Sequence, residues 1–159
     1  MVKQQGVDPQ PREPREAPSY ASSPGVRRRM QLQKTRDTAP ELELRRRLHA
    51  LGLRYRVDAQ PLPELRRRAD VVFTRVRLAV FVDGCFWHGC PDHGRREHSI
   101  NGWYWPAKIA GNRAKDADTN ERLRASGWEV VRVWEHDDMR EVAQRVADLV
   151  AKLREGHKG

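Results

Sequence analysis

The stretch "ADVVFTRVRLAVFVDG" (residues 69–84) sets the frame for the rest of the chain. "DVVF" (70–73) and "RLAVFVD" (77–83) are short runs rich in Val and Phe, separated by a turn around Thr74 and Arg75, and both read as β-strands. The second is apolar at nearly every position, as expected of a central strand covered on both faces. Asp70 opens the first strand and Asp83 closes the second, so a meander of these strands puts two carboxylates at one edge of the sheet.

Working outward, "TAPELELRRRLHALG" (38–52) predicts a helix. Thr38 is the expected N-cap, Pro40 falls in the first turn, and Glu41 follows the cap by three residues as in a capping box. Leu42, Leu44, Leu48 and Leu51 supply an apolar stripe, and Gly52 is a natural stop. "LRYRVD" (53–58) alternates and predicts a half-buried strand, followed by the Pro-bearing loop "AQPLPELRRR" with its basic triplet Arg66 to Arg68. Downstream, "WPAKIAGNRAKDADTNERLRASG" (105–127) predicts a long helix beginning near Trp105 or Pro106, with Ile109 and Leu123 turned inward. "WEVVRVW" (128–134) predicts another strand, and a last helix spans about 138–154 with Val142, Val146, Leu149 and Leu153 on one face. A meander of strands followed by a helical crossover implies an α/β fold: a mixed central sheet flanked by helices on both faces.

The chain has 159 residues, enough for one domain with a real core. Residues 1–30 read as a disordered, Pro-rich basic tail punctuated by Pro9, Pro11, Pro14, Pro18 and Pro24, and residues 31–159 as the folded domain. Lys and Arg outnumber Asp and Glu by 31 to 22, a net charge of +9 that favours a polyanionic partner, nucleic acid first. No apolar run approaches the length of a membrane span, and no signal-peptide core is present. A cytoplasmic protein facing nucleic acid is expected.

Both cysteines fall in one loop as C-x4-C-x2-H: Cys85, Cys90 and His93. That density points to zinc in a reducing compartment rather than to a disulfide. His136, just past strand 128–134, is a candidate fourth ligand that would tie the loop to the sheet, and His98 is an alternative. Asp70 and Asp83 offer oxygen ligands suited to Mg²⁺, an ion that polarises phosphodiesters, and His88 is placed to take a proton from an attacking water. Phe86 and Trp87 lie among the cysteines, and Trp103, Tyr104 and Trp105 cluster at the start of the long helix. In a basic protein such aromatics in irregular segments are suited to stacking on bases or wedging between them, which costs less at a mismatch.

The segments "RDTAPELELRRRLHALGLRYRV", "ADVVF", "VFVDGCFWHGCPDHG", "WPAKIAGNRAKD" and "GWEVVRVWEH" occur in the order found in the very short patch repair (Vsr-type) mismatch endonucleases, and the chain resembles that family over about residues 30–136. The resemblance implies a type II restriction endonuclease-like fold with a structural zinc loop. It also implies an enzyme that nicks DNA 5′ of the T in a T:G mismatch left by deamination of 5-methylcytosine, using Mg²⁺. Position by position, it makes Asp70 the metal aspartate, Val82 the residue whose backbone carbonyl helps hold Mg²⁺, His88 the activator of water, and Glu41 an acidic neighbour. It gives Phe86, Trp87 and Trp105 the role of inserting beside the mismatch, makes Cys85, Cys90, His93 and His136 the zinc ligands, and places a DNA-gripping segment at Arg29 and Met30. Three departures stand out. Ala69 replaces a proline found before the metal aspartate in the best-known members, Asp83 stands where they carry a second histidine, and the zinc set is C-C-H-H in place of C-H-C-C. Asp83 is thus open to binding metal, orienting a water or shifting metal preference.

The expected function is a mismatch nickase of duplex DNA working as a monomer in the bacterial nucleoid, alongside other mismatch-repair proteins. The rivals are a restriction-type nuclease of the same fold without mismatch preference, and a non-catalytic zinc-stabilised DNA-binding module.

Overall fold

A computed structural model describes residues 36–85, 88–92 and 104–158, with side chains from 107 onward in the last segment. Within these the chain runs α1 (Ala39–Ala50), β1 (Arg56–Ala59), β2 (Ala69–Phe73), a short 3₁₀ turn (Thr74–Val76), β3 (Leu78–Asp83), α2 (Tyr104–Ala125), β4 (Glu129–Trp134) and α3 (Met139–Gly156).

The four strands form one sheet in the order β1-β2-β3-β4. β1, β2 and β3 are an antiparallel meander, with Val57 opposite Val71 and Val71 opposite Val80. α2 is the crossover that returns β4 parallel to β3, pairing Leu78 with Glu129 and Asp83 with Trp134. The mixed α/β architecture expected from the element order is therefore present, and it fits the fold implied by the resemblance.

The sheet has a core on each face. Alternate residues Val71, Phe73, Leu78, Val80 and Val133 pack with Leu44 and Leu48 of α1 and Met139, Val142, Val146 and Val150 of α3. Val72, Ala79 and Phe81 face the other way, against Leu123 at the end of α2, Trp128 and Leu65. β3 is buried on both sides, which explains its unbroken apolar run. No helix among the described residues is long and apolar enough to cross a membrane.

Several boundaries differ from the sequence expectation for local reasons. The strand expected at 53–58 begins at Arg56, because Leu53 still belongs to the exit from α1: its N–H bonds Leu48 O at 3.1 Å and its side chain is buried. The strand expected from 77 begins at Leu78, because Arg77 adopts left-handed backbone (φ 52°). The Thr38 side chain does not cap α1. Instead Glu41 Oε2 reaches one residue further back and accepts the Asp37 N–H at 2.8 Å, with Asp37 itself at φ 56°. Asp138 is a true N-cap for α3, accepting the Arg140 N–H at 2.8 Å.

Candidate active site and metal centre

Because β2 starts where β3 ends, Asp70 and Val82 are neighbours across the hairpin. The Val82 N–H donates to Asp70 Oδ2 at 2.7 Å and fixes the carboxylate beside that peptide. Both line a cleft of about 320 Å³ together with Glu41, Asp83, His88, Asp116 and Arg132. Burial pushes the Asp70 carboxyl up to about 6, against the lowering effect of the Val82 bond, and the charges of Glu41 and Asp83 add to the rise. Glu41 is buried and spends Oε2 on the Asp37 N–H and, at 3.3 Å, on Arg45 Nη2.

His88 sits on the turn after β3, its N–H bonded to Gly84 O. Its Nδ1 lies 2.5 Å from Asp116 Oδ2, on the middle of α2, and 3.9 Å from Asp83 Oδ1. Nε2 has no partner among the described residues. Arg132 of β4 closes the group: Nη1 lies 2.9 and 3.1 Å from the two Asp83 oxygens and 3.3 Å from Asp116 Oδ1. Burial raises the Asp83 carboxyl, opposed by the charges of Arg132 and His88. A histidine held at Nδ1 by a carboxylate, with Nε2 open, is arranged to accept a proton at Nε2.

The second cluster lies behind this turn. Cys85 Sγ is 3.0 Å and Cys90 Sγ 3.8 Å from His136 Nδ1, and the three ligand atoms all lie within 4.8 Å of one another. The loop is folded on itself by Cys90 N–H to Cys85 O at 2.9 Å, and Cys85 N–H is held by Glu135 Oε1 at 3.0 Å. Burial, then Cys90, then Glu135 push the Cys85 thiol up to about 12. Both thiols being buried, a thiophilic cation here would have to displace their protons, as zinc does. Among the described residues the donor set, two sulfurs and one imidazole nitrogen, offers three of the four ligands of a tetrahedral zinc ion. Asp137 Oδ1 stands 3.7 Å from the other His136 nitrogen, the usual second partner of a metal-binding histidine.

Of the residues expected at the site, Glu41, Asp70, Val82, Asp83 and His88 share the cleft, and Cys85, Cys90 and His136 share the second cluster. His93 and His98, the side chains of Phe86, Trp87, Trp103, Tyr104 and Trp105, and the arm at Arg29 and Met30 lie outside the described residues. Sequence reasoning missed Asp116 and Arg132. It also treated the basic triplet as one feature, whereas its members differ. Arg67 is tied to α2 through Asp118 at 2.8 Å and Thr119 at 2.6 Å, Arg68 pairs with Asp58, and Arg66 is exposed at the cleft.

Comparison with known proteins finds one family model and several similar chains. Residues 23–93 match the family model described as DNA mismatch endonuclease Vsr. The chain is 42% identical over 134 residues to the type II nicking enzyme V.NaeI of Lentzea aerocolonigenes, covering 83% of this chain and 80% of that protein. It is 41% identical over 109 residues to the type II nicking enzyme V.XorIIP of Xanthomonas oryzae pv. oryzae, covering 67% and 76%. The DNA mismatch endonuclease Vsr of Escherichia coli K12 is 37% identical over 101 residues, covering 64% of this chain and 63% of that protein.

Proposed function

The chain belongs to the Vsr family of DNA endonucleases, and from that premise we propose that it is a Mg²⁺-dependent nickase that cuts duplex DNA 5′ of the T in a T:G mismatch. The observation that carries the reading is the Asp70 carboxylate pinned to the Val82 peptide beside a histidine whose Nδ1 is engaged by Asp116. A binding-only protein gains nothing from burying an aspartate at a raised pKa next to an oriented base.

In this reading Asp70 and the Val82 carbonyl would hold Mg²⁺, which would supply positive charge to polarise the phosphodiester. His88 Nε2 takes the proton of the attacking water as the water oxygen bonds to phosphorus, and the bond from phosphorus to the 3′ oxygen of the preceding nucleotide breaks, that oxygen leaving as a 3′ hydroxyl with a proton from solvent water. Asp116 keeps the His88 ring oriented and stabilises the imidazolium that forms, as the carboxylate of a hydrolase triad does. Glu41 adds negative charge beside the ion. Arg66 and Lys115, exposed at the cleft, meet backbone phosphates, which position the duplex without reading sequence.

Phe86, Trp87 and Trp105 wedge beside the mismatch, where unstacking costs least. Zinc held by Cys85, Cys90, His136 and His93 or His98 fixes the loop that carries two of these aromatics. The tail at Arg29 and Met30 grips the DNA, and other repair proteins act on the nick.

The test is nicking of a T:G duplex with the zinc-loaded protein. Activity should appear with Mg²⁺ and disappear when Mg²⁺ is chelated with zinc still bound. Asp70→Ala and His88→Ala should lose it while binding the duplex as the parent does. Full activity in Asp70→Ala would refute the proposed site.

A further inference from the structure

Asp83, His88 and Asp116 bring two carboxylates and an imidazole to within 4.8 Å of one another. On donor chemistry alone they could take a divalent cation, next to the ion proposed at Asp70 and Val82. Their charge is already engaged by a side chain. Arg132 Nη1 bridges Asp83 at 2.9 and 3.1 Å and Asp116 at 3.3 Å.

The guanidinium is a built feature of the fold. Arg132 lies in the middle of β4, in register with Phe81 of β3, and its guanidinium carbon rests 4.2 Å from the centroid of the Phe81 ring. Nε donates to Asn120 Oδ1 on α2 at 2.7 Å. The side chain is only 17% exposed, so two strands and a helix together hold one cation at one place. An arginine there is part of the chain and cannot dissociate as a metal does.

The division of the Asp116 carboxylate follows from this. Oδ1 takes Arg132 and Oδ2 takes His88 Nδ1. A second divalent ion at this cluster would have to displace Arg132 from both aspartates and leave a largely enclosed guanidinium without its carboxylate partners, which is strongly disfavoured.

We propose that Arg132 is a resident cation standing in for a second metal ion, so that the cleft takes one divalent ion, at Asp70 and Val82, and Asp83 anchors Arg132 instead of binding metal. This rests on the nuclease reading and extends it to the number of ions. Arg132 is a positioning residue: it fixes Asp116, and through it His88.

Two readouts on the zinc-loaded full chain test this, Mn²⁺ stoichiometry by electron paramagnetic resonance and Mn²⁺-dependent nicking of a T:G duplex. Ions outside the cleft are subtracted with Asp70→Ala/Asp83→Asn. The parent should hold one Mn²⁺ in the cleft, and Asp83→Asn should still hold it, its affinity lowered less than tenfold by the loss of a neighbouring negative charge. Arg132→Gln should gain a second Mn²⁺ that disappears again in Arg132→Gln/Asp83→Asn. Its nicking rate should fall about 10²-fold at parental KM and recover in part at high Mn²⁺, and Arg132→Lys should keep the one-ion count. Two cleft ions in the parent, an Asp83→Asn chain that loses affinity tenfold, or an Arg132→Gln chain with unchanged stoichiometry would each overturn the proposal. The Asp83→Asn arm leaves β4 intact and so decides the case even if Arg132→Gln fails to fold. A parent that counts one ion yet nicks nothing would leave the ion count standing and refute the nuclease reading instead.

Discussion

Asp70 sits half-buried at the start of β2 with one backbone hydrogen bond, and burial lifts its carboxyl to about 6. Its folded pKa lies above the ordinary value of 3.8, so the unfolded chain gives up this proton first and ionisation costs stability. That cost is absent below about pH 3.8 and grows as pH rises to about 6, above which it is fully present. Asp70→Asn should therefore stabilise the metal-free protein at pH 7.5 by about 2–3 kcal/mol, a rise of several degrees in Tm, and abolish nicking; an unchanged or lower Tm would contradict this account of the site. Because protons and metal compete for the same oxygens, the acid limb of the nicking profile should lie near pH 6 at low Mg²⁺ and move to lower pH as Mg²⁺ is raised. A limb indifferent to Mg²⁺ would argue against Asp70 as a ligand. Asp70, Asp83 and His88 were legible in the sequence because strand ends and a short loop fix where they fall. Asp116 was not. It is one of several acids in the charged helix segment "NRAKDADTNER", and the rotation of α2 against the sheet decides that Asp116 meets His88 while Asp118 meets Arg67 and Arg122. Arg132 was hidden for a like reason: a single basic residue in a mostly apolar strand gives no hint of the carboxylates on the next strand and helix.

The described residues of this loop, Cys85 and His88 to Asp92, are held at three levels: backbone bonds, the cysteine and histidine cluster, and a seat on α2. Gly89 provides the seat. It has φ +67°, and a Cβ there would lie 2.7 Å from Ile109 Cγ2, inside contact distance of a stiff β-branched side chain. Gly89→Ala should cost about 1–3 kcal/mol and release zinc faster to a chromogenic chelator, with α1 and α3 keeping their helical signal. Zinc retention equal to the parent would show that the seat does not matter. At the other end of the chain, Asp138→Ala removes the α3 cap and should lower stability by about 1 kcal/mol in a denaturant melt without changing nicking. Element boundaries were the part of the fold least visible beforehand. β1 starts three residues later than its alternating pattern because Leu53 is spent on closing α1, and the glutamate of the expected capping box serves Asp37 and the cleft. In both cases the way α1 closes its own ends overrode the simpler pattern.

For the whole molecule, sheet order was readable because each rule applied cleanly: consecutive short strands form a meander, and a long helix before the last strand forces a parallel return. Those connections bring the ends of β1, β3 and β4 and the start of β2 to one end of the sheet. They gather the cleft and the cysteine loop there, leaving α1 and α3 to fill the core behind. The net charge of +9 predicts that affinity for any duplex falls steeply with salt. Mismatch preference, resting on aromatic wedging, should be far less salt-dependent, so Trp87→Ala should reduce the ratio of T:G to matched nicking about tenfold or more while altering duplex affinity little. Equal nicking of matched and mismatched duplex by the parent would contradict the wedge. The most direct test of the central claim is strand-resolved cleavage with Mg²⁺ of three duplexes sharing one sequence context: T:G, C:G and T:A. The account predicts a single nick 5′ of the mismatched T, absent from both matched duplexes and from Asp70→Ala. Cleavage of all three, or of both strands of any, would contradict it.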